Sequence, residues 1–253
     1  MRKVKNVIYY VILVVLFILL IISSKNIITW FIDNNNTKKV TEKIRDNTKI
    51  KKIKVNDDNK QDMLIDVDLT KLKGINSDTI GYIKVIGTNI DYPVVQTDNN
   101  DFYLSHSFDK SYNAAGWVFL DYRNNIVSFD DNTIFYAHGR LDNTMFGSLR
   151  NVIKQSWYNN KNNRYLQYSN EYYSSKWEVF STYKIKETSD YLKINLSDEE
   201  SKKEFFNKIK NRSVYNYDVE LSRDDKIITL SSCYDDYYRV VLHAKLVEFV
   251  KKK

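Results

Sequence analysis

The chain contains a single cysteine, Cys233, at the end of the apolar segment "IITLSSC". Arg239 follows six residues later, at the start of the segment "RVVLHAKL". One cysteine cannot form an intramolecular disulfide, and a leftover thiol in an exported protein is a candidate reactive group. The alternative is a buried cysteine that packs as a small hydrophobic side chain.

The position of Cys233 within its segment bears on this choice. Side chains alternate between the two faces of a strand, so Thr229, Ser231 and Cys233 share one face. Ile228 and Leu230 lie on the other face, whose composition is typical of a core. Cys233 instead lies on the polar face, at the strand end, where loops form clefts. This pattern favours a functional thiol and leaves the structural interpretation open.

A nucleophilic cysteine needs a partner that gives and takes a proton, and the chain has three histidines. His138 follows the predicted strand "TIFYA" and precedes Gly139, where a strand end opens into a cleft. His106 lies in a loop-like stretch. His243 lies in the middle of a predicted strand, where a histidine is usually a satisfied sheet residue. We therefore predict that His138 is the partner of Cys233.

Arg239 carries a permanent charge and several hydrogen-bond donors, so beside a thiolate it could bind a carbonyl or a developing oxyanion. The alternative is an ion pair with Asp235 or Asp236. No cluster of His, Cys and Asp has metal-ligand spacing, and no glycine-rich phosphate loop is present. We therefore predict no metal and no cofactor.

From residue 78 onward the sequence is typical of a mainly β fold. Short runs rich in Val, Ile, Tyr, Phe and Thr are bounded by Asn, Asp, Gly and Ser, which is the pattern of strands. The runs are "TIGYIKVIGTNIDYPVVQ", "GWVFLDYR", "NTIFYAHG", "RYLQYS", "KWEVFSTYKI", "KIITLSSC" and "RVVLHAKLVEFV". Their number predicts a sandwich or a closed barrel.

Two helices are predicted within the β region. The segment "SDEESKKEFFNKIKNR" begins with Ser197 and Glu200, which have the spacing of a capping box. Phe205, Phe206 and Ile209 give this segment an apolar stripe. A shorter helix is predicted over 145–153, where apolar residues recur at intervals of four.

Residues 7–24, "VIYYVILVVLFILLIISS", contain no charged side chain. As a helix they extend about 27 Å, close to the ~30 Å hydrocarbon thickness of a bilayer. Arg2, Lys3 and Lys5 precede them, so the positive-inside rule predicts a cytoplasmic N-terminus and an extracellular remainder. The alternative is a cleaved signal peptide, but the run is longer than the apolar region of an ordinary signal peptide and no small-residue cleavage site follows it.

The charge distribution supports three regions. Residues 1–60 contain 13 Lys and Arg against 5 Asp and Glu, and the rest of the chain contains 26 against 27. The basic N-terminal part indicates a membrane surface or an anionic wall polymer as partner, and disfavours nucleic acid. We predict a membrane anchor over 1–24, a basic polar stalk, partly helical, over 25–77, and a catalytic domain over 78–253.

The segments around the cysteine resemble those of the sortases, the membrane-anchored cysteine transpeptidases of Gram-positive bacteria. "TLSSC" precedes "RVVLHAKL", and "YAHG" lies about 95 residues upstream. The likeness is to class B sortases, through "GTNIDYPVVQ", "NDFYL", "VFLDYRN", "YAHGRLDNTMFGSL" and "VFSTYKIKETSDYL", in that order. The resemblance covers residues from about 78 to 250 and implies an eight-stranded β-barrel with a few peripheral helices.

The resemblance also implies roles for individual residues. Cys233 would be the nucleophile, His138 the general acid and base, and Arg239 the cation that binds the carbonyl. The groove for a sorting peptide would be lined by Asn100, Leu104, Tyr191, Leu192 and Ser231.

This chain also departs from its relatives near the groove. Glu187 occupies a groove position where some relatives carry threonine. Tyr234 follows the cysteine in place of an acid or a threonine, and the loop "YDDYY" is shorter than in class B relatives. These differences bear on peptide specificity rather than on the reaction.

The implied reaction cleaves the sorting signal of an exported protein after Thr, through a thioester, and transfers the protein to an amine of a lipid-linked peptidoglycan precursor. Three alternatives remain: a cysteine protease with water as acceptor, a pilin-polymerising sortase, and a non-catalytic, membrane-tethered wall-binding module. The sequence leaves open whether the sorting motif is of the Asn-Pro-x-Thr-Asn or the x-Pro-x-Thr-Gly type.

Overall fold

The computed structural model describes residues 2–54, 63–235 and 237–252. Its first element is helix α1, Arg2–Asn47. This helix is long and apolar enough to cross a membrane, and the side chains of its apolar half are exposed. The predicted anchor is therefore the first half of a continuous helix, which extends well beyond residue 24.

The second half of α1 packs on the rest of the chain. Asp33, Thr37 and Ile44 are buried, and they recur on one side of the helix. The amide of Asn113 donates hydrogen bonds to the backbone carbonyl of Asp33 (3.2 Å) and to the hydroxyl of Thr37 (3.1 Å). The helix that is long and apolar enough to cross a membrane thus also packs directly on the folded domain.

A hairpin that the sequence did not predict follows α1. Strands β1 (Lys49–Lys54) and β2 (Met63–Asp68) pair antiparallel, and a short helix, α2 (Thr70–Ile75), follows them. The backbone of β2 donates to side chains of the main domain, from Ile65 to Gln167 and from Val67 to Ser169. Residues 55–62 of the predicted stalk lie outside the described residues.

The main domain is a closed eight-stranded barrel, as predicted. Its strands are β3 (Thr79–Val85), β4 (Asp91–Val95), β5 (Phe119–Leu120), β6 (Asn132–Tyr136), β7 (Tyr165–Asn170), β8 (Tyr173–Lys186), β9 (Ile227–Cys233) and β10 (Tyr238–Lys251). Their order around the barrel is β10-β8-β7-β3-β4-β5-β6-β9. The pairs β4–β5 and β6–β9 are parallel, and the other pairs are antiparallel.

The core of this domain is aromatic, as the composition of the strands indicates. Phe135, Tyr168, Trp177 and Phe180 are fully buried, together with many aliphatic side chains from the same strands. Large apolar side chains of this kind contribute roughly 1.5–3 kcal/mol each when they leave water. A continuous core therefore holds the strand ends, and the loops that follow them, in fixed positions.

Two short helices lie outside the barrel, α3 (Gln155–Asn159) and α4 (Glu199–Asn211). Helix α4 confirms the predicted helix, but the predicted N-cap is wrong by one residue. Asp198, not Ser197, caps it, because the carboxylate of Asp198 accepts a hydrogen bond from the backbone N–H of Ser201 at 2.8 Å. The spacing of Ser197 and Glu200 therefore does not form a capping box.

The predicted helix over 145–153 is not an α-helix. Only a 3₁₀ turn forms there, Gly147–Asn151. Met145 has a φ of 50°, in the left-handed region, which a right-handed helix cannot include. Met145 and Leu149 are nevertheless buried, so the apolar spacing predicted packing correctly and the type of helix wrongly.

Candidate active site

Strand pairing brings the three predicted catalytic residues into one row. In the parallel pair β6–β9, Tyr136 lies opposite Ser231, and two residues further on stand His138 and Cys233. In the antiparallel pair β9–β10, Cys233 lies opposite Arg239. Neighbouring strands are about 4.8 Å apart. Cys233 therefore lies between His138 on one side and Arg239 on the other.

Gly139 allows the chain after His138 to approach the cysteine. A Cβ atom on Gly139 would lie 1.7 Å from the carbonyl oxygen of Cys233, so any side chain would force the two strand ends apart. The hydroxyl of Ser232 donates to the carbonyl of Ala137 at 3.0 Å and ties the same two ends together. The close approach of the two chain segments that carry His138 and Cys233 is therefore built into the backbone.

A backbone hydrogen bond holds the imidazole of His138. Its Nε2 lies 2.7 Å from the carbonyl oxygen of Leu104. A carbonyl oxygen only accepts, so Nε2 carries a hydrogen and Nδ1 is the free nitrogen of the neutral ring. Gly116, with a φ of 61°, allows the same loop to turn close to the imidazole, since a Cβ there would lie 3.1 Å from its Cδ2.

Arg239 pairs with Glu187 and not with Asp235, one of the two acids considered from the sequence. An Nη atom of Arg239 donates to Oε1 of Glu187 at 2.5 Å. The carboxylate of Asp235 instead accepts from the backbone N–H groups of Tyr237 and Tyr238, and the first of these bonds is the main cause of its lowered pKa. The other candidate partner, Asp236, lies outside the described residues.

The long-range pairing of strands explains this partner. The β8–β10 ladder ends with Lys186 opposite Tyr238, and the next backbone N–H, that of Glu187, donates to the carbonyl of Tyr237 at 2.9 Å. Glu187 thus lies beside Arg239 although they are 52 residues apart in the chain. Sequence proximity did not indicate Glu187, because its contact with Arg239 depends on the pairing of β8 with β10.

An open groove of about 620 Å³ runs past the row of three residues. All nine residues predicted from the sequence line it: Asn100, Leu104, His138, Glu187, Tyr191, Leu192, Ser231, Cys233 and Arg239. The groove also includes residues that the sequence did not single out: Asp101, Phe119, Tyr136, Ala137, Thr188, Ser189 and Ser232. Tyr136 could have been found, because it lies two residues before His138 at the end of the predicted strand.

One wall of the groove, residues 187–193, has no regular secondary structure and is held by side chains. The buried amide of Asn132 donates to the carbonyls of Tyr191 (3.3 Å) and Lys193 (2.9 Å). A guanidinium N–H of Arg123 donates to the carbonyl of Leu192 at 3.3 Å. These hydrogen bonds hold the wall in place although residues 187–193 are not part of a strand.

The side chains of the groove also contact one another. The hydroxyl of Tyr191 lies 2.9 Å from that of Ser231, and burial raises the pKa of Tyr191, so this hydroxyl stays protonated. Asn100 accepts a hydrogen bond from the backbone N–H of Tyr122 at 3.0 Å. Leu104 is 40% exposed, which leaves an apolar contact available in the groove.

The other two histidines lie outside the groove. His243 is buried, with Nε2 2.8 Å from the hydroxyl of Tyr183 and Nδ1 2.8 Å from that of Thr229. Burial lowers its pKa to about 3, so it is neutral, which confirms the prediction of a satisfied sheet residue. The ring of His106 stacks on that of Phe102, and its Nδ1 forms a hydrogen bond with the backbone carbonyl of Phe102. Within the described ranges, no cluster of His, Cys, Asp and Glu could hold a metal ion.

Comparison with known proteins agrees with this geometry. The sortase domain family model matches residues 83–247. Sortase B of Staphylococcus aureus is 35% identical over 181 residues, which cover 70% of this chain and 73% of that protein.

Solved structures are also similar. The S. aureus sortase B–substrate complex has a TM-score of 0.67 and 34% identity, covering 71% of this chain and 84% of that one. Sortase B from Bacillus anthracis in complex with AAEK1 has a TM-score of 0.73 and 30% identity, covering 86% and 99%. Matches of this extent in both sequence and structure show that the chain belongs to the sortase family, as a class B cysteine transpeptidase.

Proposed function

We propose that this transpeptidase cleaves the sorting signal of exported proteins after Thr and joins them to an amine of a lipid-linked peptidoglycan precursor. The observation that carries the proposal is the row of His138, Cys233 and Arg239 at the ends of three adjacent strands, at the side of an open groove. The similar S. aureus structure is a substrate complex, which supports a peptide as the ligand of this groove.

In the first half of the reaction, Nδ1 of His138 takes the thiol proton of Cys233, and the sulfur attacks the carbonyl carbon of Thr. Arg239, on the neighbouring strand, donates hydrogen bonds to the carbonyl oxygen as it becomes negative. The C–N bond then breaks, and His138 gives its proton to the leaving amine. The peptide stays on Cys233 as a thioester.

In the second half, the acceptor amine attacks the thioester carbon. His138 takes a proton from the amine, the C–S bond breaks, and the proton passes from His138 to the sulfur, which restores Cys233. The hydrogen bond from Nε2 to Leu104 holds the ring in one orientation through both steps and leaves Nδ1 for the exchange of protons.

The lining of the groove supports a peptide in an extended form. Leu104 and Leu192 offer apolar contacts, and Tyr191, Ser231 and Asn100 offer hydrogen-bonding groups. We assign these residues to the recognition of the sorting peptide. Its motif is of the Asn-Pro-x-Thr-Asn or the x-Pro-x-Thr-Gly type.

The proposed location is the cell membrane, with the N-terminus in the cytoplasm and the barrel outside. The exposed apolar half of α1 supports a single span, and the packing of its second half keeps the barrel close to the bilayer. Both the exported substrate and a lipid-linked amine are concentrated at that surface.

The products of the reaction test this proposal. The full chain in detergent micelles is mixed with peptides of both motif types, with and without an amine acceptor, and the masses of the products are measured by mass spectrometry. We expect a product in which the peptide is joined to the amine through Thr. Hydrolysed peptide alone would indicate a protease, and an intact peptide in every mixture would favour the wall-binding module.

A further inference from the structure

The ion pair between Glu187 and Arg239 lies inside the groove that is to receive the peptide. We propose that Glu187 determines specificity by exchanging partners. Its carboxylate holds Arg239 in the free enzyme, gives way to the substrate carbonyl, and then pairs with a basic side chain next to the Thr of the peptide. This inference rests on the carbonyl-binding role proposed for Arg239.

The first step of the exchange follows from the contacts of the guanidinium. One Nη atom of Arg239 donates to Glu187, and the other donates to the backbone carbonyl of Tyr238 at 3.3 Å. Charged acceptors form stronger hydrogen bonds than neutral carbonyls, so the bond to Glu187 is the stronger of the two. A substrate carbonyl that approaches Arg239 has to compete with this carboxylate for the guanidinium.

The exposure of the two side chains determines which one moves. The side chain of Glu187 is 64% exposed, whereas that of Arg239 is 19% exposed. The backbone of Glu187 is held by Tyr237, so only its side chain has to swing away. Ion pairs this exposed are weak, and their loss costs the peptide at most about fivefold in affinity.

Two other acids close to Glu187 in the structure or the sequence, Asp235 and Asp190, form hydrogen bonds with other partners. Asp235 binds two backbone N–H groups and lies 3.5 Å from the ammonium of Lys184. Asp190 forms a two-point pair with Arg212, which lowers its pKa. Among these three acids, Glu187 is thus the one whose partner changes when the peptide binds.

The second step follows from the position of the released carboxylate. Glu187 lines the groove, so its charge then faces the bound peptide rather than bulk solvent alone. A Lys or Arg beside the Thr would restore an ion pair, and an acidic residue there would be repelled. The structure thus favours sorting peptides with a basic residue at the variable position before Thr.

The test compares three peptides of one motif that differ only in the residue before Thr, which is Lys, Gln or Glu. KM and kcat for cleavage are measured with the full chain in micelles, for the wild type, Glu187→Gln and Glu204→Gln. The last variant makes the same change in charge on α4, at an exposed residue that does not line the groove.

For the wild type we expect the lowest KM with Lys and the highest with Glu, with a spread of up to about fivefold at each step. Glu187→Gln should lose this order and lower KM for the Gln peptide, and Glu204→Gln should behave as the wild type. The inference is overturned if the wild type shows no order, or if Glu187→Gln lowers kcat equally for all three peptides, which would make Glu187 a positioning residue. Failure of the wild type to cleave any of them would contradict the proposed function itself, and the inference with it.

Discussion

His138, which lies just beyond the end of β6, and Cys233, the last residue of β9, occupy matching positions, each two residues beyond the paired Tyr136 and Ser231. Residues two apart in a strand face the same side, so the pairing directs both side chains toward the groove. The relative position of the candidate base and the candidate nucleophile is therefore set by the backbone ladder. Changes that disturb the ladder at this point should affect the chemistry without touching either side chain.

Gly139→Ala is the direct test of this dependence. The added methyl group would lie 1.7 Å from the carbonyl oxygen of Cys233, so the strand ends must separate by an ångström or more. A displacement of that size costs about a hundredfold in rate. We expect kcat/KM for peptide cleavage to fall by that order while near-ultraviolet circular dichroism shows a folded barrel.

Gly74→Ala provides the matched control for that variant. No atom lies within 4 Å of a Cβ placed on Gly74, which belongs to the short helix α2. This variant should keep wild-type activity and stability. Equal activity of Gly139→Ala and Gly74→Ala would contradict the close approach described for the active site.

The hydrogen bonds of two histidines predict opposite tautomers. Nε2 of His138 and Nδ1 of His106 each face a backbone carbonyl, of Leu104 (2.7 Å) and Phe102 (2.8 Å). In the neutral ring, the hydrogen must lie on the nitrogen that faces the carbonyl. Ring ¹⁵N shifts, measured by NMR at a pH where both rings are neutral, should show Nε2–H for His138 and Nδ1–H for His106. A hydrogen on Nδ1 of His138 would leave that ring without the proton-exchange role assigned to it.

The buried imidazole of His243 predicts a pH dependence of stability. Burial lowers its pKa to about 3, whereas the unfolded chain binds a proton at the ordinary value near 6.5. Between these values the unfolded state holds more protons, so the free energy of unfolding falls as the pH falls from 6.5 toward 3. The slope from this residue is about 1.4 kcal/mol per pH unit.

Denaturant unfolding at several pH values checks this contribution, with His243→Gln as the comparison. Acids such as Asp131, whose pKa is lowered to about 2, contribute stability that is lost only as the pH falls below about 4, the ordinary pKa of a carboxyl group. Their effect therefore lies at lower pH than that of His243. Burial raises the pKa of Asp131, but hydrogen bonds from Lys202 and other groups more than offset this. Between pH 6.5 and 4.5 the wild type should lose stability faster than His243→Gln, and parallel curves would refute the assignment.

Asn132 should position the groove wall rather than take part in the chemistry. Its buried amide donates to the carbonyls of Tyr191 and Lys193 and accepts from the hydroxyl of Thr229 at 2.6 Å. Asn132→Ala leaves these groups unpaired, which costs about 1–3 kcal/mol for a buried group. We expect lower stability and a raised KM for the peptide, with a smaller change in kcat. Asn207→Ala, on the exposed side of α4, should change neither quantity.

The packing of α1 on the barrel predicts that its second half is part of the folded domain. Ile44 is 4% exposed and belongs to the main core cluster, whereas Ile50 in the β1–β2 hairpin is 42% exposed. Ile44→Ala should destabilise the full chain in micelles by about 2–5 kcal/mol, and Ile50→Ala by much less. Similar melting temperatures for the two variants would mean that the helix does not support the barrel.

Much of the barrel could be predicted because its strands carry strong local patterns. Runs of β-branched and aromatic residues marked the strands, and their alternation placed Cys233 and Ser231 on one face. The pairing of Cys233 with His138 was predicted from the ends of two strands that lie about 95 residues apart. The resemblance to a known family then indicated six further residues of the groove, but not the other seven that line it: the six are Asn100, Leu104, Glu187, Tyr191, Leu192 and Ser231.

The features that sequence reasoning missed depend on contacts between distant segments. The hairpin from β1 to β2 carries four lysines in its first strand, so its local pattern is weak, and it is held by Gln167 and Ser169 of the barrel. Glu187 reaches Arg239 through the β8–β10 ladder. The groove wall depends on Asn132 and Arg123, whose local sequence does not indicate that role.

The most direct test of the account is the intact mass of the full chain after mixing with a sorting peptide in the absence of an amine. We expect the wild type to gain the mass of the peptide up to Thr, through a bond that hydroxylamine cleaves, as a thioester requires. Cys233→Ala and His138→Ala should gain nothing. Cleavage of the peptide by Cys233→Ala, or turnover by the wild type with no thioester at any time, would contradict the assignment of Cys233 as the nucleophile.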